Sequence, residues 1–198
     1  MAFVSASPSI VRSVLQRSLL NTWLRLFERT HELPEFDQFS FDRLADEMPD
    51  LVWFDVAYEE SHPSFTVAHQ GRRLADVFGF MPKGADLENF LRPHHVSPIM
   101  PSYYQCLLRC RPIYSVFNLP DVDGRRVLYE RLLLPFGSGL TPTMLFGSIK
   151  TISDAGTFVQ KNLMRPDSVV VRDVQAIVDS GFAMSRIEKQ LDADVVEI

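Results

Sequence analysis

The chain has 198 residues and a formal net charge of -5, and 46% of its residues are hydrophobic and 23% charged. This length and balance are typical of one folded globular domain with terminal extensions, and they exclude a largely disordered chain. Lysine and arginine are mixed with aspartate and glutamate and form no basic stripe, which disfavours nucleic-acid binding. No apolar run reaches the roughly 20 residues that a membrane-spanning helix needs, so we expect no membrane span.

The first predicted element is a helix over residues 8–29 with a broad apolar face. Ser7 can cap this helix, and Pro8 is tolerated in a first helical turn. Apolar residues then recur at three- and four-residue steps as far as Phe27, as in a helix that packs on a core. The first 27 residues contain no acidic residue and have features of a mitochondrial transit peptide, but a core-packed helix explains them more simply. Pro34 ends the pattern, and "FSFDRLADEMPD" predicts a short helix after it.

A hairpin and a set of helices are predicted next. "LVWFDVAY" at 51–58 and "SFTVAHQ" at 64–70 are rich in β-branched and aromatic residues and predict two adjacent strands. Proline and glycine break up the following segment, which predicts small irregular helices, and residues 97–112 predict a longer helix. In that helix Cys106 and Cys110, the only cysteines, are four residues apart and share one face. This spacing does not favour a disulfide, so we expect reduced thiols, as in the cytoplasm.

Three further strands are predicted at 113–119, 126–136 and 143–152. The first two flank a turn in which Asp123 and Gly124 supply the left-handed conformations that a tight hairpin needs. The predicted order is therefore two strands, several short helices and three strands.

The central strand of the last three has apolar residues on both faces. In "VLYERLLLPFGSG" (127–139), apolar side chains occupy both parities, and Glu130 and Arg131 interrupt them. Because successive side chains of a strand point to opposite faces, both faces must be covered. We expect Glu130 and Arg131 to find hydrogen-bonding or charged partners, since unpaired buried charges are costly.

The remaining segment, 154–198, is predicted to be a C-terminal helical extension. Val174, Ile177, Val178 and Phe182 form a helical stripe, which Gly181 weakens.

Three segments and the element order resemble PAS domains, and in particular the single-domain PAS proteins of alphaproteobacteria. These segments are "NTWLRLFERTHELPEFDQFSFDRLADEMPDLVWFDV", "VLYERLLLPFGSG" and "MLFGSIKTI", and the resemblance covers about residues 8–153. It implies an α+β, PAS-like fold: a five-stranded antiparallel sheet with short helices on one face, enclosing a pocket, and the N-terminal helix on the other. The expected division is an N-terminal helical cap at 1–50, a PAS-like domain at 51–153 and the extension at 154–198.

The resemblance also implies a ligand pocket lined by apolar side chains. We expect the pocket to be lined by these residues, which lie on the strands and helices that face it: Phe65, Val67, Phe78, Phe90, Tyr103, Leu107, Phe117 and Phe146.

Two adjacent histidines are the candidates for a cofactor site. His94 and His95 follow Pro93 in the helical wall of the expected pocket, where some PAS domains hold haem through a histidine. Adjacent histidines in a polar segment are more often solvated or hydrogen-bonded than metal ligands. Their spacing with Cys106 and Cys110 does not match a zinc site, so we expect no bound metal ion.

Three classes of function stay open at this point: a ligand-gated sensor, an interaction adaptor and a small pocket enzyme. The first two are a cytoplasmic PAS-type module in signal transduction that binds a small ligand, a protein partner or both, forms a homodimer and has no catalytic output. The enzyme alternative is an isomerase- or dehydratase-like protein that exchanges protons through an Asp-His pair. Its candidates are Asp55, His69 and His95.

Overall fold

A seven-stranded mixed sheet organises the chain. The computed structural model describes residues 3–39, 44–58, 62–121, 123–152 and 169–179. The strands lie in the order β1-β7-β4-β5-β6-β2-β3; the β1–β7 pair is parallel and the other pairs are antiparallel. Their bounds are β1 Val4–Ala6, β2 Leu51–Tyr58, β3 Pro63–Gln70, β4 Ile113–Pro120, β5 Arg126–Ser138, β6 Thr141–Ile152 and β7 Val171–Val178.

The α+β class and the five strands from β2 to β6 agree with the sequence prediction, and these five pair only antiparallel with one another. The sheet, however, has two more strands than predicted. β1 and β7 extend it beyond β4, and β1 lies parallel to β7. The prediction of a sheet with only five strands, all antiparallel, is therefore wrong: the sheet has seven strands and one parallel pair.

The predicted helical stripe in the C-terminal segment is wrong for residues 171–178, which form β7. Val174 pairs with Val116 of β4, and this distant pairing replaces the helical contacts that the spacing suggested. The segment is rich in β-branched residues, which fit a pleated strand better than a helix. Phe182 lies outside the described residues.

Four α-helices are described: α1 Val14–Thr30, α2 Arg72–Phe78, α3 Leu87–Phe90 and α4 Pro93–Arg109. The start of the N-terminal helix was predicted too early, because Pro8–Ile10 form a separate 3-10 turn and the Ser13 hydroxyl caps α1 by accepting from Gln16 N at 3.4 Å. The helix that was predicted from residue 97 begins earlier, at Pro93. Among the described residues, no helix is both long and apolar enough to cross a membrane.

The helices cover both faces of the sheet. We call the face under α1 the outer face and the face against α2, α3 and α4 the inner face. On β5, Leu132 and Phe136 belong to the outer cluster with Trp23, whereas Tyr129 and Leu133 belong to the inner cluster. The two apolar parities of β5 thus have separate covers, as the strand pattern predicted.

α1 is fixed to the outer face by packing and by a buried hydrogen bond. Trp23 is fully buried and stacks on Phe27 with ring centroids 5.1 Å apart. Its Nε1 donates to the carbonyl oxygen of Pro135 at 2.7 Å. Gln16 donates from Nε2 to the main-chain oxygens of Glu130 and Ser148, at 3.2 and 2.9 Å. The apolar stripe of α1 from Leu19 to Phe27 therefore lies on the sheet.

Candidate ligand-binding site

A cavity of about 50 Å³ lies between the inner face of the sheet and the short helices. Its lining is apolar apart from two tyrosines and one glutamine. The side chain of Gln70 links β3 to the segment after α2: its Nε2 donates to Gly79 O at 2.9 Å, and its Oε1 accepts from Met81 N at 2.8 Å. The cavity is lined by Val52, Phe54, Gln70, Leu74, Phe78, Met81, Leu87, Phe90, Leu91, Ile99, Tyr103, Tyr129 and Ile149.

Three of the predicted pocket residues line this cavity: Phe78, Phe90 and Tyr103. Phe90, which is 37% exposed, stands at its margin. Four others belong to the same inner cluster but do not border the cavity: Phe65, Val67, Leu107 and Phe117.

The assignment of Phe146 to the pocket is wrong. Phe146 lies on the outer face, where its ring centroid is 6.1 Å from those of Phe136 and Trp53, whereas its neighbour Leu145 belongs to the inner cluster. A shift of one residue in strand parity moves a side chain to the other face. That parity is set by the pairing of β6 with β5 and β2, which the sequence alone does not define.

A bulge in the β2–β3 hairpin explains Gln70, a cavity residue that was not predicted from the sequence. The pairing shifts between Trp53 and Phe54, so that Trp53 pairs with His69 and Phe54 with Val67. The extra residue lets both Val67 and Gln70 face inward although they are three apart. No signal in the sequence marks this bulge. Tyr129 and Ile149, by contrast, could have been predicted from the alternation of side chains along β5 and β6.

A charged clamp holds α2, one wall of the cavity, against the sheet. Lys150 Nζ lies 2.5 Å from Glu47 Oε2 and 2.6 Å from Asp50 Oδ2. Arg73 on α2 donates to the same Asp50 oxygen, and the Asp50 side chain is only 3% exposed. The clamp joins residues up to 103 positions apart, a distance that explains why spacing did not reveal it.

Arg131 is the other charged group beside the cavity, and it is fully buried on the inner face. Its Cζ lies 4.8 Å from the ring centroid of Tyr103 and 4.9 Å from that of Phe117. Cation–π contacts of this kind are favourable in a desolvated site. Nη2 is 3.5 Å from Ile99 O, while Nε and Nη1 have no hydrogen-bond partner among the described residues. Arg131 therefore has a hydrogen-bonding partner, as expected, but not one for each of its donor nitrogens.

Glu130, its neighbour, points to the outer face beneath the start of α1. Its carboxylate is fully buried and interacts with the side chain of Tyr114 on β4, so the expected polar partner is present. Burial, followed by the charge of Glu130, raises the pKa of nearby Tyr114 to about 12. The two interrupting charges of β5 are thus separated by the sheet and do not neutralise each other.

The tyrosines give a prediction on alkaline stability. Burial is the largest cause that raises the pKa values of Tyr103, Tyr104 and Tyr114 to about 12, whereas an unfolded tyrosine ionises near pH 10. A raised folded-state pKa stabilises the fold below the unfolded value, and this contribution is lost as pH rises through the folded value. We expect the tyrosinate absorbance of the native protein to lag behind that of urea-unfolded protein at pH 10, and stability to fall between pH 10 and about 12. If the native and the urea-unfolded protein gave the same tyrosinate titration curve, the burial of these three tyrosines would be contradicted.

The two candidate haem ligands do not face the cavity together. His94 is exposed and His95 is 1% exposed; both lie in the first turn of α4, with ring centroids 4.0 Å apart. His95 borders a separate groove beside Phe90 and Pro93. The cavity, at about 50 Å³, is far below the roughly 300 Å³ at which pockets for larger organic ligands begin. These residues do not fit a haem in this arrangement.

The structure does not assemble the candidate enzyme residues. Asp55 is exposed on β2, and His69 stacks on outer-face Trp53 with centroids 3.9 Å apart. Burial lowers the pKa of His69. His95 belongs to α4, on the other side of the sheet, so it cannot share one substrate with the other two.

The two cysteines were predicted to share one helix face, and this is wrong. Cys106 is buried in the inner cluster, whereas Cys110 caps the C-terminus of α4 with φ 49° and packs against the outer cluster. Both thiols are free. Burial raises the pKa values of both thiols, and that of Cys106 most strongly, which makes Cys106 a structural residue rather than a nucleophile.

Comparisons of the chain with protein-family models, curated proteins and solved structures gave no match. The fold and the site together define an α+β protein with a small, mostly apolar cavity on one face of its sheet and a helical cover on the other.

Proposed function

We propose that this chain is a PAS-type module of signal transduction, cytoplasmic and without a catalytic output of its own, which acts by binding a small ligand and a protein partner. The observation that carries the proposal is the mostly apolar cavity between the inner face of the sheet and the short helices. An apolar lining with a few polar groups is the usual composition of a small-molecule site, and a volume of about 50 Å³ restricts the ligand to a few carbon atoms.

The element order supports the PAS-type assignment. β2 and β3 precede the short helices, and β4, β5 and β6 follow them as antiparallel neighbours. α1 packs on the opposite face, in the place where PAS-like proteins carry an N-terminal helix. β1 and β7 are additions to this pattern.

Ligand binding would act through α4. This helix contributes Ile99 and Tyr103 to the cavity, and its Ser102 accepts a hydrogen bond from Gln175 of β7 at 2.6 Å. A ligand that changes the position of α4 therefore also changes its contact with the C-terminal strand. Such a ligand shifts the balance between two packings by its difference in affinity for them.

α1 offers the contact surface for a partner or for a second copy in a homodimer. Val14 is 75% exposed and Leu15 is 47% exposed, although both belong to a helix whose opposite side is deeply buried. Exposed apolar residues next to each other on a helix suit a protein contact.

A cavity-filling variant tests the ligand proposal. Ile149 lines the cavity, and Ile149→Phe would fill much of it at a cost of about 1–3 kcal/mol from overpacking. Leu108, which is 73% exposed on α4, supplies the matched control Leu108→Phe. Native mass spectrometry and analysis of an organic extract are expected to show a bound small molecule in the wild-type and control proteins but not in Ile149→Phe.

Circular dichroism checks that all three proteins are folded. A ligand that Ile149→Phe retains in full, or a wild-type protein that neither carries a small molecule nor binds an added one, would contradict the ligand-binding proposal.

A further inference from the structure

A fully buried cation lies directly behind the wall of the cavity. Arg131 contacts the ring of Tyr103 and the main-chain oxygen of Ile99, and the side chains of both residues line the cavity. Arg131 is also paired across β5 and β6 with Ile149, a third lining residue. The guanidinium and the cavity therefore share one wall.

The described residues do not neutralise this charge. Arg131 makes no salt bridge to a described acidic side chain, and Nε and Nη1 have no hydrogen-bond partner there. Burial, and after it the charge of Arg131, lower the pKa of Arg172 on β7, so a second cation faces Arg131; the side chain of Tyr103 is a neutral polar partner. An arginine side chain stays protonated in proteins, so a buried guanidinium with free donors is costly unless an anion joins it.

A buried hydroxyl on the neighbouring strand shares this face of the sheet. Ser115 of β4 is paired directly opposite Arg131, is fully buried, and its Oγ also lacks a hydrogen-bond partner among the described residues. A hydroxyl can donate to an anion that the guanidinium binds. Paired residues of β4 and β5 thus both have buried hydrogen-bonding atoms without a partner among the described residues.

We propose that the ligand of this cavity is a small organic acid, with its carboxylate bound by Arg131 and Ser115 and its short apolar part in the cavity. This inference rests on the proposed ligand-binding function and adds the chemical class of the ligand. A volume of about 50 Å³ limits the apolar part to a few carbon atoms. Tyr103, whose ring contacts the guanidinium from the cavity side, must turn to admit the carboxylate.

A carboxylate suits these donors better than a larger anion. Arginine binds the planar carboxylate in well-aligned, charge-assisted hydrogen bonds. A phosphate group would need more donors than one guanidinium and one hydroxyl, and the rest of the lining is mostly apolar.

The test compares butyrate with 1-butanol, which has a similar chain and no charge. Binding to the full-length protein is measured by calorimetry and by the shift of the unfolding temperature. Butyrate is expected to bind at least about tenfold more tightly than 1-butanol, as charged hydrogen bonds of this kind provide. Arg131→Met is expected to abolish that preference, because it weakens the binding of butyrate far more than that of 1-butanol. Ser115→Ala keeps the charge, and we expect it to reduce butyrate affinity severalfold; it serves as the second variant if Arg131→Met does not fold.

The outcomes separate the two proposals. Equal affinities of the wild-type protein for butyrate and 1-butanol, or a preference that survives both substitutions, would overturn the carboxylate inference and leave the apolar cavity as a ligand site. Binding of neither probe, together with no small molecule in the organic extract, would remove the proposed function as well.

Discussion

Replacement of Trp23 by alanine is expected to lower the free energy of unfolding by about 4 kcal/mol, the usual cost of removing a large buried aromatic side chain. Trp23 is fully buried between α1 and the sheet. The change also removes the donor to Pro135 O, which leaves a buried carbonyl without its partner. Urea unfolding followed by circular dichroism measures the loss. With the outer face less well covered, we also expect more binding of a hydrophobic dye and a tendency to associate.

Val14→Ala is the matched control on the same helix. Val14 is 75% exposed, and its truncation should change stability by less than about 0.5 kcal/mol. If Trp23→Ala were as stable as the control and bound no more of the dye, α1 would not be the cover of the outer face.

Replacement of Gly71 by alanine is expected to cost about 3 kcal/mol, at the upper end of ordinary overpacking. A Cβ at Gly71 would overlap the main-chain oxygens of Met48 and Pro49, and neither can move without shifting the turn before β2. Gly71 N donates to Leu51 O at 2.7 Å, so the two segments are held in close contact. The methyl group would separate α2 from that turn and disturb the clamp at Asp50 as well as the cavity wall.

Gly84→Ala separates this steric effect from backbone strain. Gly84 has φ +86° and no atom within 4 Å of a Cβ position. Its replacement by alanine therefore lowers the stability only through the strain of alanine in a left-handed conformation, about 1 kcal/mol. Thermal and urea unfolding of both variants give the comparison. A Gly71→Ala protein that is as stable as Gly84→Ala would contradict the close packing of α2 on the turn.

The sequence was sufficient to predict features that arise from local patterns. The two apolar parities of β5 required two covers, and the stripe of α1 supplied one of them. The turn at Asp123 and Gly124 and the β-rich segments located the five central strands. Such features depend on side-chain periodicity and turn chemistry, which are written into neighbouring residues.

Features that depend on distant pairing were not predictable in this way. β7 was assigned to a helix because its short run of valines and one isoleucine is compatible with the periodicity of a helix and with that of a strand. Its pairing with β4 decides for the strand, and that pairing is not visible in the sequence. Phe146 was assigned to the wrong face for the same reason. The bulge at Trp53 and Phe54 shifted the parity of part of β3 without any glycine or proline to mark it.

The site shows the same division. Phe78, Phe90 and Tyr103 were expected to face a pocket and do. The sequence also marked Arg131 as an anomalous charge in a buried strand, but it could not show that the guanidinium would have two rings and too few acceptors around it. Conflicts between local pattern and burial are the places where functional residues are expected.

The two faces of the sheet have different roles in this account: α1 stabilises the outer face, and the inner face binds the ligand. Methyl NMR of isoleucine-labelled protein tests this most directly. On addition of butyrate or 1-butanol, the resonances of Ile99 and Ile149, which line the cavity, are expected to shift, and that of Ile10, which packs with the outer cluster, is expected to stay in place. Unchanged spectra with both compounds, or shifts confined to Ile10, would contradict ligand binding on the inner face.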